Sequence, residues 1–111
     1  MTFREDLDAL VLAVLQHGPM HGYEISRRIK DLSDKVLSAG EGKLYPCLHK
    51  LEDEGYIQAE WVPQENRPAR KVYSLTEKGC GALAKKRKAW EEFAAGVSAV
   101  LNPPKPEVSR G

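Results

Sequence analysis

The apolar residues of this chain change their period at Gly55, and that change sets what the chain can fold into. Before it they recur at helical spacing in three successive segments; after it they alternate every second residue in two short ones. In the first segment, Arg4 to His17, the residues Leu7, Leu10, Val11, Val14 and Leu15 lie at helical spacings, and Gly18-Pro19 is a helix stop. The second, Gly22 to Leu32, repeats Ile25, Ile29 and Leu32 and turns Arg27, Arg28 and Lys30 away. A polar, loop-like stretch from Ser33 leads to a third helix from Gly42 to Glu54. Projected at about 100° per residue, Leu44, Leu48 and Leu51 share one narrow sector, leaving Lys43, Pro46, Cys47, His49 and Lys50 on the remaining surface. Pro46 is placed in the first turn, where the amide it lacks has no partner in any case.

Beyond Gly55, Tyr56–Val62 and Lys71–Leu75 alternate as strands do, and the turn formers of Pro63–Ala69 predict a hairpin with a long polar tip carrying Arg67. Thr76 is an N-cap for a last helix, with Glu77 at its positive end and Gly79 and Gly81 weakening its first turns. Leu83, Trp90, Phe93, Val97 and Val100 form an apolar stripe close to a heptad repeat, opposite Lys85, Lys88 and Glu92. Asn102 to Gly111, with three prolines, is expected to be disordered. Three helices followed by a two-stranded hairpin is the winged-helix arrangement, a relative of helix-turn-helix. The expected fold is therefore mainly α with a β-hairpin, plus a long C-terminal helix. Its divisions fall at 1–75, 76–101 and 102–111.

The 111 residues suit one domain with one core, and 41% hydrophobic with 30% charged residues suits a soluble, folded chain. No apolar run is long enough to cross a bilayer. Acids near the N-terminus are out of place in a secretory signal, so the cytoplasm is the expected compartment. Cys47 and Cys80 belong to no paired motif, and with His17, His21 and His49 they share no ligand spacing. Reduced thiols and no metal are expected. No nucleophile is paired with a base, and no glycine loop cradles a phosphate, which argues against an enzyme and against a cofactor. The net charge is only +1, but bases gather in Arg67–Lys71 and Lys85–Lys88, so a basic face remains open.

Four strings carry more information: His21-Gly22-Tyr23-Glu24-Ile25, Gly42-Lys43-Leu44-Tyr45-Pro46, Leu51-Glu52-Asp53-Glu54-Gly55-Tyr56-Ile57 and Arg70-Lys71-Val72-Tyr73-Ser74-Leu75-Thr76. In that order and spacing the chain resembles the PadR family of bacterial transcriptional regulators over residues 7 to 100, in its short form with a single C-terminal helix. The resemblance implies a winged-helix repressor that dimerises through that helix on a palindromic operator. In many members a small molecule releases the DNA. In some short members a flat aromatic ligand sits between the subunits against a Trp of the last helix, a position matched by Trp90. Lys43 stands where relatives usually carry Ser or Thr, and Cys47 where Ala or Thr is common, so no operator sequence carries over.

A helix enters the major groove when one face is anchored and the other offers donors. The third helix fits, with Lys43, Tyr45, Pro46, His49 and Lys50 facing duplex DNA. Arg67, Arg70 and Lys71 of the hairpin are expected on backbone or minor groove, setting register. The same lysines also read as an ordinary solvated face, His49 as an idle exposed histidine, and Tyr45 as a ring packed on the core. Two half-sites about one helical turn apart demand a homodimer, with Leu83, Trp90, Phe93 and Val97 as its contacts, although the Trp90-Phe93-Val97 stripe also reads as intramolecular core folded back on the chain. Trp90 either stacks on a small aromatic effector or fills the dimer core. A winged-helix module that binds protein instead of DNA is the competing reading.

Overall fold

The computed structural model describes residues 3–105. Its elements run α1 (Phe3–Leu15), β1 (Met20–His21), α2 (Gly22–Leu32), α3 (Glu41–Asp53), β2 (Ile57–Gln64), β3 (Arg67–Leu75) and α4 (Glu77–Leu101). The three strands form one antiparallel sheet in the order β1-β3-β2. The helices, the base of the hairpin and the long last helix appear where the apolar periods place them.

One core holds the first three helices, the base of the hairpin and the start of α4 together. Leu7, Val11, Leu12, Val14 and Leu15 of α1 meet Ile25 and Ile29 of α2, Leu44, Leu48 and Leu51 of α3, Ile57 and Tyr73 of the sheet, and Leu83 of α4. Leu32 departs from the expected stripe and is 66% exposed. It is the last residue of α2, and Leu37, brought back by the turn in which Ser33 holds the Leu37 backbone, packs against the core instead. α2 is capped by His21, whose Nδ1 accepts from the Glu24 amide at 3.2 Å. Burial, with Arg70 next in weight, holds that imidazole below its ordinary pKa, which suits an unprotonated acceptor.

α3 ends in a Schellman turn: the Tyr56 amide donates to the Leu51 carbonyl and the Gly55 amide to Glu52, with Gly55 at φ +81°. That left-handed residue reverses the chain into β2. Thr76 then ties the last helix to the same corner. Its hydroxyl accepts from the Gly79 amide at 3.0 Å and donates to the Gly55 carbonyl at 2.7 Å. Gly79, expected only to weaken α4, is instead what lets the helix approach: a Cβ there would stand 2.0 Å from the Tyr56 carbonyl oxygen.

The hairpin differs from expectation at its tip. Pro63–Ala69 is not a long loop, because β2 continues to Gln64 and β3 begins at Arg67, leaving Glu65 and Asn66 as the turn, with Asn66 at φ +60°. A register irregularity between Val62 and Gln64 absorbs Pro63, and Pro68 lies in β3 beyond the part that β1 pairs. Each proline thus forgoes one donor where the ribbon is only two strands wide. Residues 103–105 follow α4 without regular structure, and 106–111 of the expected tail lie outside the described residues.

Gly79→Ala is expected to cost more than about 2 kcal/mol, since the obstacle is backbone and cannot swing aside. Gly81→Ala, with nothing near its Cβ, is expected to stabilise by about 0.5–1 kcal/mol. Urea denaturation of the two variants beside the parent chain measures both.

Candidate nucleic-acid interface

The interface is built on α3. Leu44, Leu48 and Leu51 are at most 1% exposed and seat the helix on the core. Lys43, Tyr45, Pro46, His49 and Lys50 lie on its exposed side. Gly40 caps the helix with no side-chain hydrogen bond, so its first-turn amides keep their affinity for an anion, with Glu41 acting against it. Pro46 is not in the first turn: α3 starts at Glu41, so the missing amide would have met the carbonyl of exposed Gly42. Tyr45 lays its ring on α2, where a Cβ on Gly22 would stand 2.8 Å from the phenol oxygen. That placement keeps the ring partly on the protein while leaving the residue 36% exposed.

Cys47 corrects the sequence reading. It is buried, not on the outer surface, because the core-facing sector of a globular helix is wider than its three leucines. Its Sγ–H donates to Asp8 Oδ1 at 3.1 Å, and Lys50 Nζ donates to Asp8 Oδ2 at 3.0 Å. Burial first, then the hydrogen bond to Asp8 and its charge, push the Cys47 thiol up to about 12. That leaves it protonated and poorly nucleophilic at neutral pH. The Asp8 hydrogen bond, followed by its charge, raises the Lys50 pKa. Asp8 was missed at the sequence level, although an acid four residues before Leu12 and seven before Leu15 sits on the apolar side of α1.

The hairpin carries a second group of cations. Arg67, next to the turn, and Arg70, opposite Val62, are exposed. Lys71 turns inward. Its ammonium meets Glu52 of α3 at 3.3 Å and lies 5.3 Å from the centre of the Tyr73 ring, so it braces the ribbon against the helix. Burial pulls its pKa down, and the Glu52 hydrogen bond with the neighbouring Tyr73 more than offsets this, leaving it raised. Trp61, which sequence reasoning passed over, pairs with Lys71 across the ribbon and is 67% exposed.

Of the residues expected on the α4 stripe, Leu83 belongs to the chain's own core at 3% exposure, packed where α1 runs alongside. Trp90, Phe93 and Val97 lie further along α4 and are exposed, with the Trp90 and Phe93 ring centres 5.8 Å apart. A groove of about 550 Å³ opens between Ala9, Leu10 and Ala13 of α1, Val36 and Leu37, and Leu83, Lys86, Arg87 and Trp90 of α4. Among the described residues no cluster of His, Cys, Asp and Glu could hold a metal ion, and no helix is long and apolar enough to cross a membrane.

A third helix seated on leucines, with its other side open beside a cationic β-ribbon, defines a winged helix-turn-helix protein. Residues 11–85 match the family model of PadR-like transcriptional regulators. The chain is 35% identical over 89 residues to the transcriptional regulator Rv3488 of Mycobacterium tuberculosis, covering 80% of this chain and 82% of that protein. It is also 35% identical over 69 residues to the negative transcriptional regulator PadR of Bacillus subtilis, covering 62% of this chain and only 38% of PadR. A transcriptional regulator from Clostridium thermocellum superposes with a TM-score of 0.79 at 29% identity, over 86% of this chain and 90% of that one. Bacillus subtilis PadR, solved in complex with operator DNA, superposes with a TM-score of 0.66 at 28% identity, over 95% of this chain and 51% of that one. The chain belongs to the PadR-like family of transcriptional regulators, a family of regulators and not of enzymes.

The thiol geometry makes a direct prediction. A disulfide reagent at pH 8 should label exposed Cys80 rapidly and Cys47 many times more slowly, both becoming equivalent in denaturant. Mass spectrometry of the labelled peptides reads the difference.

Proposed function

We propose that the chain is a cytoplasmic transcriptional repressor, of the short form with one C-terminal helix, that binds a palindromic operator as a homodimer. Residues 1–75 are the DNA-binding unit and 76–101 the dimerisation helix. The observation that carries this reading is the open side of α3 together with exposed Arg67 and Arg70 on a ribbon that Lys71 ties to α3, in a fold shared with a relative solved on operator DNA. Lys43, Tyr45, Pro46, His49 and Lys50 meet the major groove, and the α3 N-terminus meets a phosphate. Arg67 and Arg70 hold the backbone at the adjoining minor groove, with Lys71 setting the angle of the ribbon.

The exposed half of α4 supports the dimer. Trp90, Phe93 and Val97 are each 41–47% exposed, and Val100 and Leu101 more than 70%. An apolar run of that extent on one side of a helix is costly to leave in water and is what a second copy covers. A flat aromatic effector fits the groove beside Trp90, whose volume and apolar walls suit a small-molecule site. By changing how the two winged units sit on one another, it would release the DNA.

Fluorescence anisotropy with the duplex upstream of the chain's own gene, against an unrelated duplex at two salt concentrations, tests the DNA reading. Tight, sequence-preferring binding that weakens with salt is expected. Replacing Arg67 and Arg70 by alanine should weaken both duplexes and flatten the log–log salt slope by about 2. Absence of binding at low salt would favour a protein-binding winged helix. Sedimentation of a Phe93→Asp, Val97→Asp variant should show a monomer with at least roughly tenfold weaker operator binding. A wild-type chain that sediments as a monomer contradicts the dimer.

A further inference from the structure

We infer that Asp8 is a positioning residue for DNA recognition: by tethering the Lys50 ammonium to α1, it keeps that cation from acting as a freely swinging phosphate anchor and so favours sequence-specific over indiscriminate binding. The inference rests on the DNA-binding reading and deepens it.

The geometry is specific. Asp8 is 8% exposed and is the one buried charged residue among the described residues. A carboxylate in that position is tolerated only when its oxygens are satisfied. One oxygen accepts from buried Cys47 and the other from Lys50, both on α3. The thiol stays protonated, so its role there is that of a fixed neutral donor that orients the carboxylate. The Lys50 side chain is 61% exposed, but the position of its ammonium is set by a group on another helix.

A lysine on a flexible stem makes a phosphate contact wherever a phosphate lies, and each such contact adds sequence-independent affinity. Held at 3.0 Å from a carboxylate, the same ammonium is partly neutralised and displaces fewer counterions. It can still donate to a DNA group at one fixed place, which is what discrimination requires. α1 thereby contributes to recognition through a side chain that never touches DNA.

The test uses the full chain and two duplexes, one random in sequence and one from upstream of its own gene, titrated over a range of salt. Asp8→Asn keeps the shape and can still accept from Cys47, but loses the charge that holds Lys50. It should bind the random duplex about threefold or more tightly at low salt, steepen the salt slope by about 1, and narrow the preference for the upstream duplex. Adding Lys50→Met should remove the gain in slope. In the parent background, Lys50→Met should flatten the slope by much less than Arg67→Ala does, a comparison that stands even if Asp8→Asn does not fold. An unchanged slope in Asp8→Asn, a gain that survives Lys50→Met, or equal flattening by Lys50→Met and Arg67→Ala would each overturn the inference. If the wild-type chain binds neither duplex in a salt-dependent way, the DNA-binding reading itself fails.

Discussion

The seating of α3 by Leu44, Leu48 and Leu51 is the interaction on which the rest depends. Each is essentially inaccessible to water, and burial of a leucine is worth roughly 1.5–3 kcal/mol. Their partners come from nearly every other element: Val11 and Leu12 of α1, Ile25 of α2, Ile57 of β2 and Leu83 of α4 share the cluster. A helix fixed on one side this firmly can offer the other to a ligand without shifting when the ligand binds. Polar side chains finish the job at the rim of the leucines, where Asp8 holds Cys47 and Lys50, and Glu52 holds Lys71.

The corner at Gly55 translates that anchor into the position of the ribbon and the last helix. The Schellman turn ends α3, Tyr56 turns into β2, and the Thr76 hydroxyl returns to the Gly55 and Tyr56 carbonyls to start α4. Lys78 adds a hydrogen bond to the Glu54 carbonyl at 2.7 Å and stands 5.0 Å from the centre of the Tyr56 ring. Gly79 closes the corner because no side chain fits between α4 and the Tyr56 carbonyl. α3 and the base of the C-terminal helix are thus fixed at one junction, so a change in how α4 packs reaches α3 through few residues.

What could be read from residues alone divides along physical lines. The helices and the base of the hairpin were legible because each buries one face, and burial imposes a period. Thr76 was legible as a cap because its role is local. β1 was not, since two residues have no period and their pairing with Val72 and Tyr73 is purely tertiary. The hairpin tip misled because Pro63 and Pro68 suggest a loop, whereas a narrow ribbon with a register irregularity accommodates both. Leu83 and Trp90 lie on one stripe, yet only the part alongside α1 is covered within the chain. Cys47 and Asp8 were misjudged or missed for a related reason: polar atoms on a buried face are stable only through each other, and a single helix cannot reveal a partner on another.

Mapping backbone amide shifts by NMR as a DNA duplex is added reads out which face of the molecule meets DNA. The largest changes are expected on Glu41–Lys50 of α3 and on Glu65–Arg70 of the ribbon tip, with the core amides of α1 and α2 little changed. Changes confined to α4, or spread evenly over the lysines of the surface, would contradict an interface built on α3 and the ribbon.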